Sequence, residues 1–258
     1  MARPHNLFIL LPVSLAVYSL TAALTLAGLA VVWLLIPAAA LLCRMGKGRA
    51  TRLWVWVYGR MWLALVSPFV AFRKAGLNAG KFARPSILVV NHLSFFDTFF
   101  MGGLPASAFD VTFAVRSWPF RMPWFSPVMR LAGYIDVESD PYESVLLKAR
   151  AALNGGGHVL FFPEGHRSRN GKLGKFRTGA FRMAVETGAP VVPLVITGSG
   201  RLLPPGASLI NPAEVGLVAL DPIDSGKFKG ELAHRRLLAE TRAAMAVALG
   251  EEVRSDGN

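Results

Sequence analysis

At 258 residues the chain is long enough for one catalytic domain plus a further element. Hydrophobic residues make up 53% of it and the mean hydropathy is +0.42, beyond what an ordinary soluble domain carries. A single cysteine excludes a disulfide framework, and a net charge of +12 points to an anionic partner. No nucleic-acid motif accompanies that charge. Its basic residues stand beside apolar and tryptophan-rich segments, so the expected partner is anionic lipid rather than nucleic acid.

The chain opens on its most apolar part. No charged residue occurs from Leu7 to Cys43, a run longer than the roughly 20 residues one spanning helix needs. It is too long for the core of a secretory signal, and Arg3 is a thin basic flank for one. Pro12 and Pro37 bracket the most helix-compatible part, Val13 to Ile36. Two arrangements fit: one tilted spanning helix, or two short helices in a hairpin that dips into the membrane and returns. Thr21, Thr25 and Gly28 supply turn potential for the second. Arg44, Lys47, Arg49 and Arg52 follow, which by the positive-inside tendency assigns this flank and the rest of the chain to the cytoplasm. A second apolar stretch, Leu53 to Phe72, holds Trp54, Trp56, Tyr58 and Trp62 and is interrupted by Arg60 and Pro68. It reads as an interfacial helix with an aromatic belt or as a buried helix of the catalytic domain. Cys43, far in sequence from the polar loops described below, is a poor candidate for an acyl-carrying nucleophile.

Beyond Ala83 strand and helix patterns alternate. Strands are expected at Ile87–Val90, Val111–Val115, Tyr134–Val137, Val159–Phe162 and Val191–Ile196, with a further one at Val215–Leu220. The clearest helix starts at Asp140-Pro141-Tyr142-Glu143, read as an N-cap aspartate, a first-turn proline and a capping-box glutamate, and it ends at Gly155-Gly156-Gly157. Another runs from near Thr178 to Gly188. A C-terminal helix over Glu231–Leu249 places Leu232, Leu237, Leu238, Met245 and Leu249 toward the core. The alternation implies an α/β fold, a largely parallel sheet flanked by helices and preceded by an N-terminal membrane-inserted helical segment. The boundaries expected are 1–75 for membrane-inserted and interfacial helices, 76–250 for the α/β domain and 251–258 for a disordered tail.

Two polar loops follow expected strands. The first is Asn91-His92-Leu93-Ser94-Phe95-Phe96-Asp97. If the chain turns into a helix there, Asp97 folds back onto the imidazole of His92, fixing its tautomer and stabilising the imidazolium, as a general base and its orienting acid require. Ser94 reads as a loop hydrogen-bonder, and Phe95 and Phe96 as packing for the next helix. The second loop, Pro163-Glu164-Gly165-His166-Arg167-Ser168-Arg169, gathers a carboxylate, two arginines, a serine and a glycine. Ligands of open α/β sheets bind where loops leave the carboxyl ends of strands, so the two loops suggest one site. No phosphate-loop spacing is present, and His92, Asp97 and Glu164 match no common metal-ligand spacing.

These residues resemble the glycerolipid acyltransferases. Asn91-His92 through Asp97 matches that family's Asn-His-x4-Asp motif. Phe162 to Ser168 matches its Phe-Pro-Glu-Gly-Thr-Arg-Ser motif with His166 for threonine, and Val191-Val192-Pro193-Leu194-Val195 resembles its fourth motif. The resemblance implies a membrane-bound acyltransferase at the cytoplasmic face of the inner membrane. Such an enzyme moves a fatty acyl group from acyl-CoA or acyl carrier protein to the sn-2 hydroxyl of 1-acylglycerol 3-phosphate, making phosphatidic acid. The thioester is a co-substrate and no cofactor or metal is expected. His92 is then the base and Asp97 its orienter. Arg167 is the clamp for phosphate or carboxylate. Glu164 would accept from the acceptor hydroxyl or brace Arg167, Gly165 lets backbone approach the ligand, and Ser168 completes the substrate-binding set. Oxyanion donors are expected among the amides of Asn91–Leu93 or Glu164–Gly165, with Arg116 a weaker candidate. Arg169, Lys172, Lys175 and Arg177 add positive potential. One departure stands out: the family's second motif ends Ile-Asp-Arg, whereas Ile135-Asp136 is followed here by Val137. That leaves room for another lysolipid acceptor, such as a lyso-ornithine lipid. Two readings compete: a non-catalytic membrane lipid-binding protein, and a hydrolase that passes the acyl group to water.

Overall fold

A computed structural model of the chain describes residues 7–34, 36–42 and 44–251. Three helices come first: α1 (Leu7–Leu34), α2 (Ile36–Leu42) and α3 (Lys47–Val66). Then follow β1 (Val70–Ala75), β2 (Ile87–Val90), α4 (Asp97–Phe100), β3 (Val111–Val115), α5 (Ser126–Leu131), β4 (Ile135–Asp136), α6 (Tyr142–Asn154), β5 (His158–Phe161), α7 (Gly179–Thr187), β6 (Val191–Thr197), α8 (Ser199–Leu202), β7 (Ala213–Ala219) and α9 (Ala233–Leu249). The seven strands form one sheet in the order β1-β7-β6-β2-β5-β3-β4. Every neighbouring pair is parallel except β6 and β7. The α/β expectation therefore holds, with a reversed edge of two strands that the sequence pattern did not disclose.

The sheet's centre explains the unbroken apolar runs. Both faces are covered, so β2 buries all four of its residues. Leu88 and Val90 join Trp62, Phe96, Phe100 and Leu194 on one face. Ile87 and Val89 join Val145, Phe181, Leu237 and Met245, from α6, α7 and α9, on the other. Leu238 and Leu249 pack against that second cluster. Leu232 does not: it lies outside α9 and is exposed, because the helix begins two residues later than its apolar spacing suggests.

Other boundaries also shift. The stretch Leu53–Phe72 is not one helix. Ser67 precedes a proline, a position that disfavours continued helix, and after Val66 the chain turns into β1. β1 pairs with β7 from Val70 to Ala75, so the sheet begins at Val70 rather than at 76. Helix α6 starts at Tyr142, with Pro141 rather than Asp140 in the cap position and no side-chain cap. The carbonyl of Pro141 accepts the first helical bond, from Val145. Asp140, one residue further out, pairs with Lys148 instead. Of the expected tail, Glu251 is held in place by accepting the Leu173 N–H, while 252–258, like Cys43, lie outside the described residues.

Helix α1 is continuous through Thr21, Thr25 and Gly28, so the hairpin turn does not form there. Those small residues serve packing. Trp62 Nε1 donates to Thr21 Oγ1 at 2.9 Å, Thr25 and Tyr58 hydroxyls lie 2.7 Å apart, and Gly28 abuts the rings of Tyr58 and Trp54. Rising numbers on α1 meet falling numbers on α3, so the two run antiparallel. Nearer its start α1 is tied down by Ser14, which accepts the Ile210 N–H, and by Tyr18, whose hydroxyl donates to Ser208 O. Ser14, Val17, Thr21, Thr25, Gly28 and Val32, each three or four residues from the next, make one stripe facing the domain. Outward stand Leu7, Phe8, Leu11, Leu15, Leu26 and Trp33, all exposed. At its far end Val32 packs with Ile36, Ala40, Ala50 and Val128. Helix α3 itself is packed against the sheet's cover: Trp62 is fully buried, and Gly59 meets Gly102 backbone to backbone.

Candidate active site

Strand β2 runs between parallel neighbours β5 and β6 and releases the chain at Asn91. The side chain of Asn91 extends the ladder past the strand's end. Its Nδ2 donates to Ile196 O at 2.9 Å and its Oδ1 accepts the Ile196 N–H at 2.8 Å. This fixes where His92 leaves the sheet. The loop then turns tightly into α4, whose first residue is Asp97.

Asp97 is fully buried, and its Oδ2 accepts three donors. They are the N–H groups of Leu93 at 2.7 Å and Ser94 at 2.8 Å, and His92 Nδ1 at 2.8 Å. A carboxylate oxygen receiving two amide protons is an acceptor toward the third partner as well, so Nδ1 carries the imidazole proton. The lone pair is thereby on Nε2, which has no hydrogen-bond partner among the described residues and is not sealed from solvent. The ring packs against Phe162, with centroids 4.3 Å apart and planes tilted by 30°. His92 and Asp97 thus meet as their spacing predicts.

The second loop comes to the same place, from β5 beside β2. Glu164 is buried, and its two oxygens hold backbone: Oε1 accepts the His92 N–H at 3.0 Å and Oε2 the Gly174 N–H at 2.9 Å. It does not brace Arg167, and both oxygens are committed within the protein. Glu164 thereby positions the His92 loop. Ser168 is also tied to the backbone. Its N–H donates to His92 O at 2.7 Å and its hydroxyl to Lys172 O at 2.7 Å. Gly165 has φ of +72°, a left-handed backbone that favours glycine, and the side chain of Arg177 lies beside it. Arg167 is exposed and, with Arg169, Lys172, Lys175 and Arg177, has no acidic partner among the described residues.

Several of the candidate oxyanion donors already have partners within the protein. The amides of His92, Leu93 and Gly165 all donate to protein acceptors. Arg116, at the end of β3, pairs with Glu138 through Nη2 at 2.6 Å, and this hydrogen bond holds the Glu138 carboxyl below its usual range. Val137, where a family arginine would stand, is exposed at the tip of β4 beside that pair. Phe96 packs inward on Trp62 as expected, but Phe95 turns outward. Sequence reading missed Gly174 and Phe162 as parts of the site. Phe162 was legible, since it immediately precedes the second loop, just past the end of β5. Gly174 contributes only an amide and left no signal.

Burial pushes the Glu164 carboxyl above its usual 4.5, partly offset by the two N–H donors. The folded chain therefore keeps a proton at pH values where the unfolded chain has lost it. The stability this group contributes is fully present below about 4.5 and is lost as pH rises through the folded pKa. Glu164→Gln, which keeps one acceptor of two, is expected to cost about 1–3 kcal/mol at neutral pH and to flatten that decline. Denaturant unfolding from about pH 4 to 8 checks it; parallel curves for the two proteins would contradict the assignment.

Residues 72–197 match the family model described as Acyltransferase. A chloroplastic 1-acyl-sn-glycerol-3-phosphate acyltransferase of Arabidopsis thaliana is 32% identical over 174 residues, 65% of this chain and 48% of that one. A 1-acyl-sn-glycerol-3-phosphate acyltransferase of Pseudomonas aeruginosa is 29% identical over 143 residues, 54% of each chain. The chain spans about half the length of the curated relatives it matches. Among solved structures, the 1-acyl-sn-glycerophosphate acyltransferase of Thermotoga maritima superposes with a TM-score of 0.65 at 21% identity, over 92% of this chain and 99% of that one, which shows a shared fold. The segment that matches the acyltransferase family model, residues 72–197, holds both the His92–Asp97 pair and the Glu164 loop.

Proposed function

We propose that the chain transfers a fatty acyl group from a thioester, acyl-CoA or acyl carrier protein, to the free hydroxyl of 1-acylglycerol 3-phosphate. The observation that carries this reading is the His92–Asp97 pair, with Nε2 left unpaired, joined through Glu164 and Ser168 to a loop of unpartnered basic residues. A hydroxyl is a weak nucleophile at neutral pH, so a base must take its proton as the bond forms. Nε2 of His92 takes that proton while the alkoxide oxygen attacks the thioester carbonyl. Asp97 stabilises the imidazolium. When the tetrahedral adduct collapses, the carbon–sulfur bond breaks and the imidazolium returns the proton to the departing thiolate. No acyl-enzyme is needed, because the nucleophile is the substrate's own hydroxyl. Arg167 and its basic neighbours are suited to the acceptor's phosphate.

Membrane seating is part of the proposal. Helix α1 has a stretch, Leu7–Trp33, long and apolar enough to cross a bilayer by length and composition. Its polarity is inverted: serine, threonines and glycine face the protein while leucines and aromatics face out, as a lipid solvent favours. Because α1 is tied along the domain from Ser14 to Val32, the reading that fits is insertion into one leaflet with the domain on the cytoplasmic side.

A second acceptor has one observation in its favour. The tip of β4 presents Val137 and a neutralised Arg116–Glu138 pair instead of a free guanidinium, so a lysolipid with less negative charge, such as lyso-ornithine lipid, remains in competition. Purified protein in vesicles, given a radiolabelled acyl thioester and a panel of lysolipids, separates the cases. Product with 1-acylglycerol 3-phosphate supports the proposal, and product only with another lysolipid replaces the acceptor. Thioester consumption without any lysolipid indicates a hydrolase, and lipid binding without product a binding protein.

A further inference from the structure

Between β3 and β4 the chain makes a surface excursion whose composition its role in the fold does not explain. Trp118 is 52% exposed, Trp124 58% and Phe125 41%. Phe95, three residues after His92, is 44% exposed, and its ring centroid lies 6.4 Å from that of Trp118. Large aromatic side chains scattered singly on a surface are unremarkable, but four in one neighbourhood mark an interaction site. The charge around them has one sign. From Arg116 to Leu131 there is no acidic residue, and Arg121 and Arg130 are exposed with no acidic partner among the described residues. The adjacent Glu138 is taken by Arg116, and Asp110 by Arg49 and Arg52.

The patch also continues a surface already described. Val128 of α5 shares a core cluster with Val32 of α1 and with Ile36 and Ala40 of α2. The aromatic excursion therefore adjoins the end of α1–α2 where Trp33 and Leu41 point outward. Gly48, in the first turn of α3, lies against Leu131 O, which brings the exposed Lys47 to the same end.

We propose that the Trp118–Arg130 segment is a second membrane contact, its tryptophans seated in the headgroup layer and its arginines on lipid phosphates of an anionic leaflet. Tryptophan and arginine together suit that depth, where one end of the side chain is apolar and the other wet, and unpaired basic residues are drawn to an anionic surface. The proposal rests on the reading that α1 is seated in lipid and adds what α1 alone does not supply. One helix tethers the domain and leaves it free to rock; a second contact that includes the neighbourhood of Phe95, three residues after His92, holds that face against the bilayer. A single-chain lipid then passes from leaflet to site without its chain crossing water.

Single-cysteine forms of the full chain test this. With Cys43→Ser as background, Trp124→Cys reports the patch, Leu15→Cys the outward side of α1, and Leu147→Cys an exposed position on α6. Each carries an environment-sensitive fluorophore in vesicles of phosphatidylcholine and phosphatidylglycerol, with and without lipids bearing a quencher in the acyl chain. The expected result is a blue shift and lipid quenching at 124 and at 15, with neither at 147. Quenching at 15 but not at 124 overturns the proposal and leaves the α1 reading standing. Quenching at 124 but not at 15 sinks the α1 reading and keeps the patch as a lipid contact. A blue shift at 124 that grows with protein concentration and ignores the quencher assigns the patch to a protein partner and overturns the proposal.

Discussion

Replacing His92 by alanine is expected to lower turnover by about a thousandfold, within the usual range for loss of a positioned base, while leaving the fold intact. Nothing that holds the loop together depends on the imidazole. The His92 N–H still reaches Glu164, its carbonyl still accepts Ser168, and Asp97 still receives the amides of Leu93 and Ser94. Asp97→Asn is expected to cost about as much or more, for a different reason. An amide can present its NH2 group to Nδ1 and so favour the tautomer with the proton on Nε2, where it blocks proton uptake. This variant should also lose stability, since an acceptor shared by three donors is weakened in a fully buried position. Single-turnover kinetics with melting curves on both variants check this. A His92→Ala protein that folds and retains more than about a tenth of wild-type turnover would remove His92 from the role of base.

The second large effect lies away from the chemistry. A Cβ on Gly102 would stand 2.3 Å from the backbone carbon of Gly59, and one on Gly59 2.9 Å from Gly102 Cα. These are main-chain atoms in a helix and a tight turn, so no flexible side chain can give way. Gly102→Ala is expected to destabilise the chain by about 3 kcal/mol or more, because α3 must move off the segment that follows α4. Gly179→Ala is the control. Nothing lies within 4 Å of its added carbon, it begins α7, and its φ is not in the left-handed region, so the change is expected to be neutral or to stabilise by up to about 1 kcal/mol. Denaturant midpoints in one detergent compare them; equal stability of the two variants would show that the α3 contact yields.

How far the sequence discloses the molecule depends on what kind of partner a residue has. Strand β2 was legible because burial on both faces demands an unbroken apolar run, and the His92–Asp97 contact because both partners sit in one short loop. Strand β1 was hidden: Val70 to Phe72 continue the aromatic composition of α3, and only the pairing with β7 reveals them as a strand. Glu164 was seen as part of the site but its partners in the fold were hidden, since backbone amides carry no side-chain signature. Arg116 and Glu138 are 22 residues apart and meet only because β3 and β4 end together. For α1 the apolar length was plain, whereas its polar stripe gained meaning only from Tyr58 and Trp62 on α3.

The strand order has a consequence for how the molecule comes into being. β1 pairs only with β7, and β2 only with β5 and β6, while Asn91 and Ile196 are separated by 105 positions. A growing chain that ends at Asn154 therefore contains only one complete strand pair, β3 with β4. Sheets assembled from such distant pairings close slowly, and until they do, the fully apolar β2 has no neighbour to cover its edges. The apparatus for catalysis is among the last parts of this protein to exist, and a nascent chain must be protected at Ile87–Val90 for longer than anywhere else in the sheet's centre.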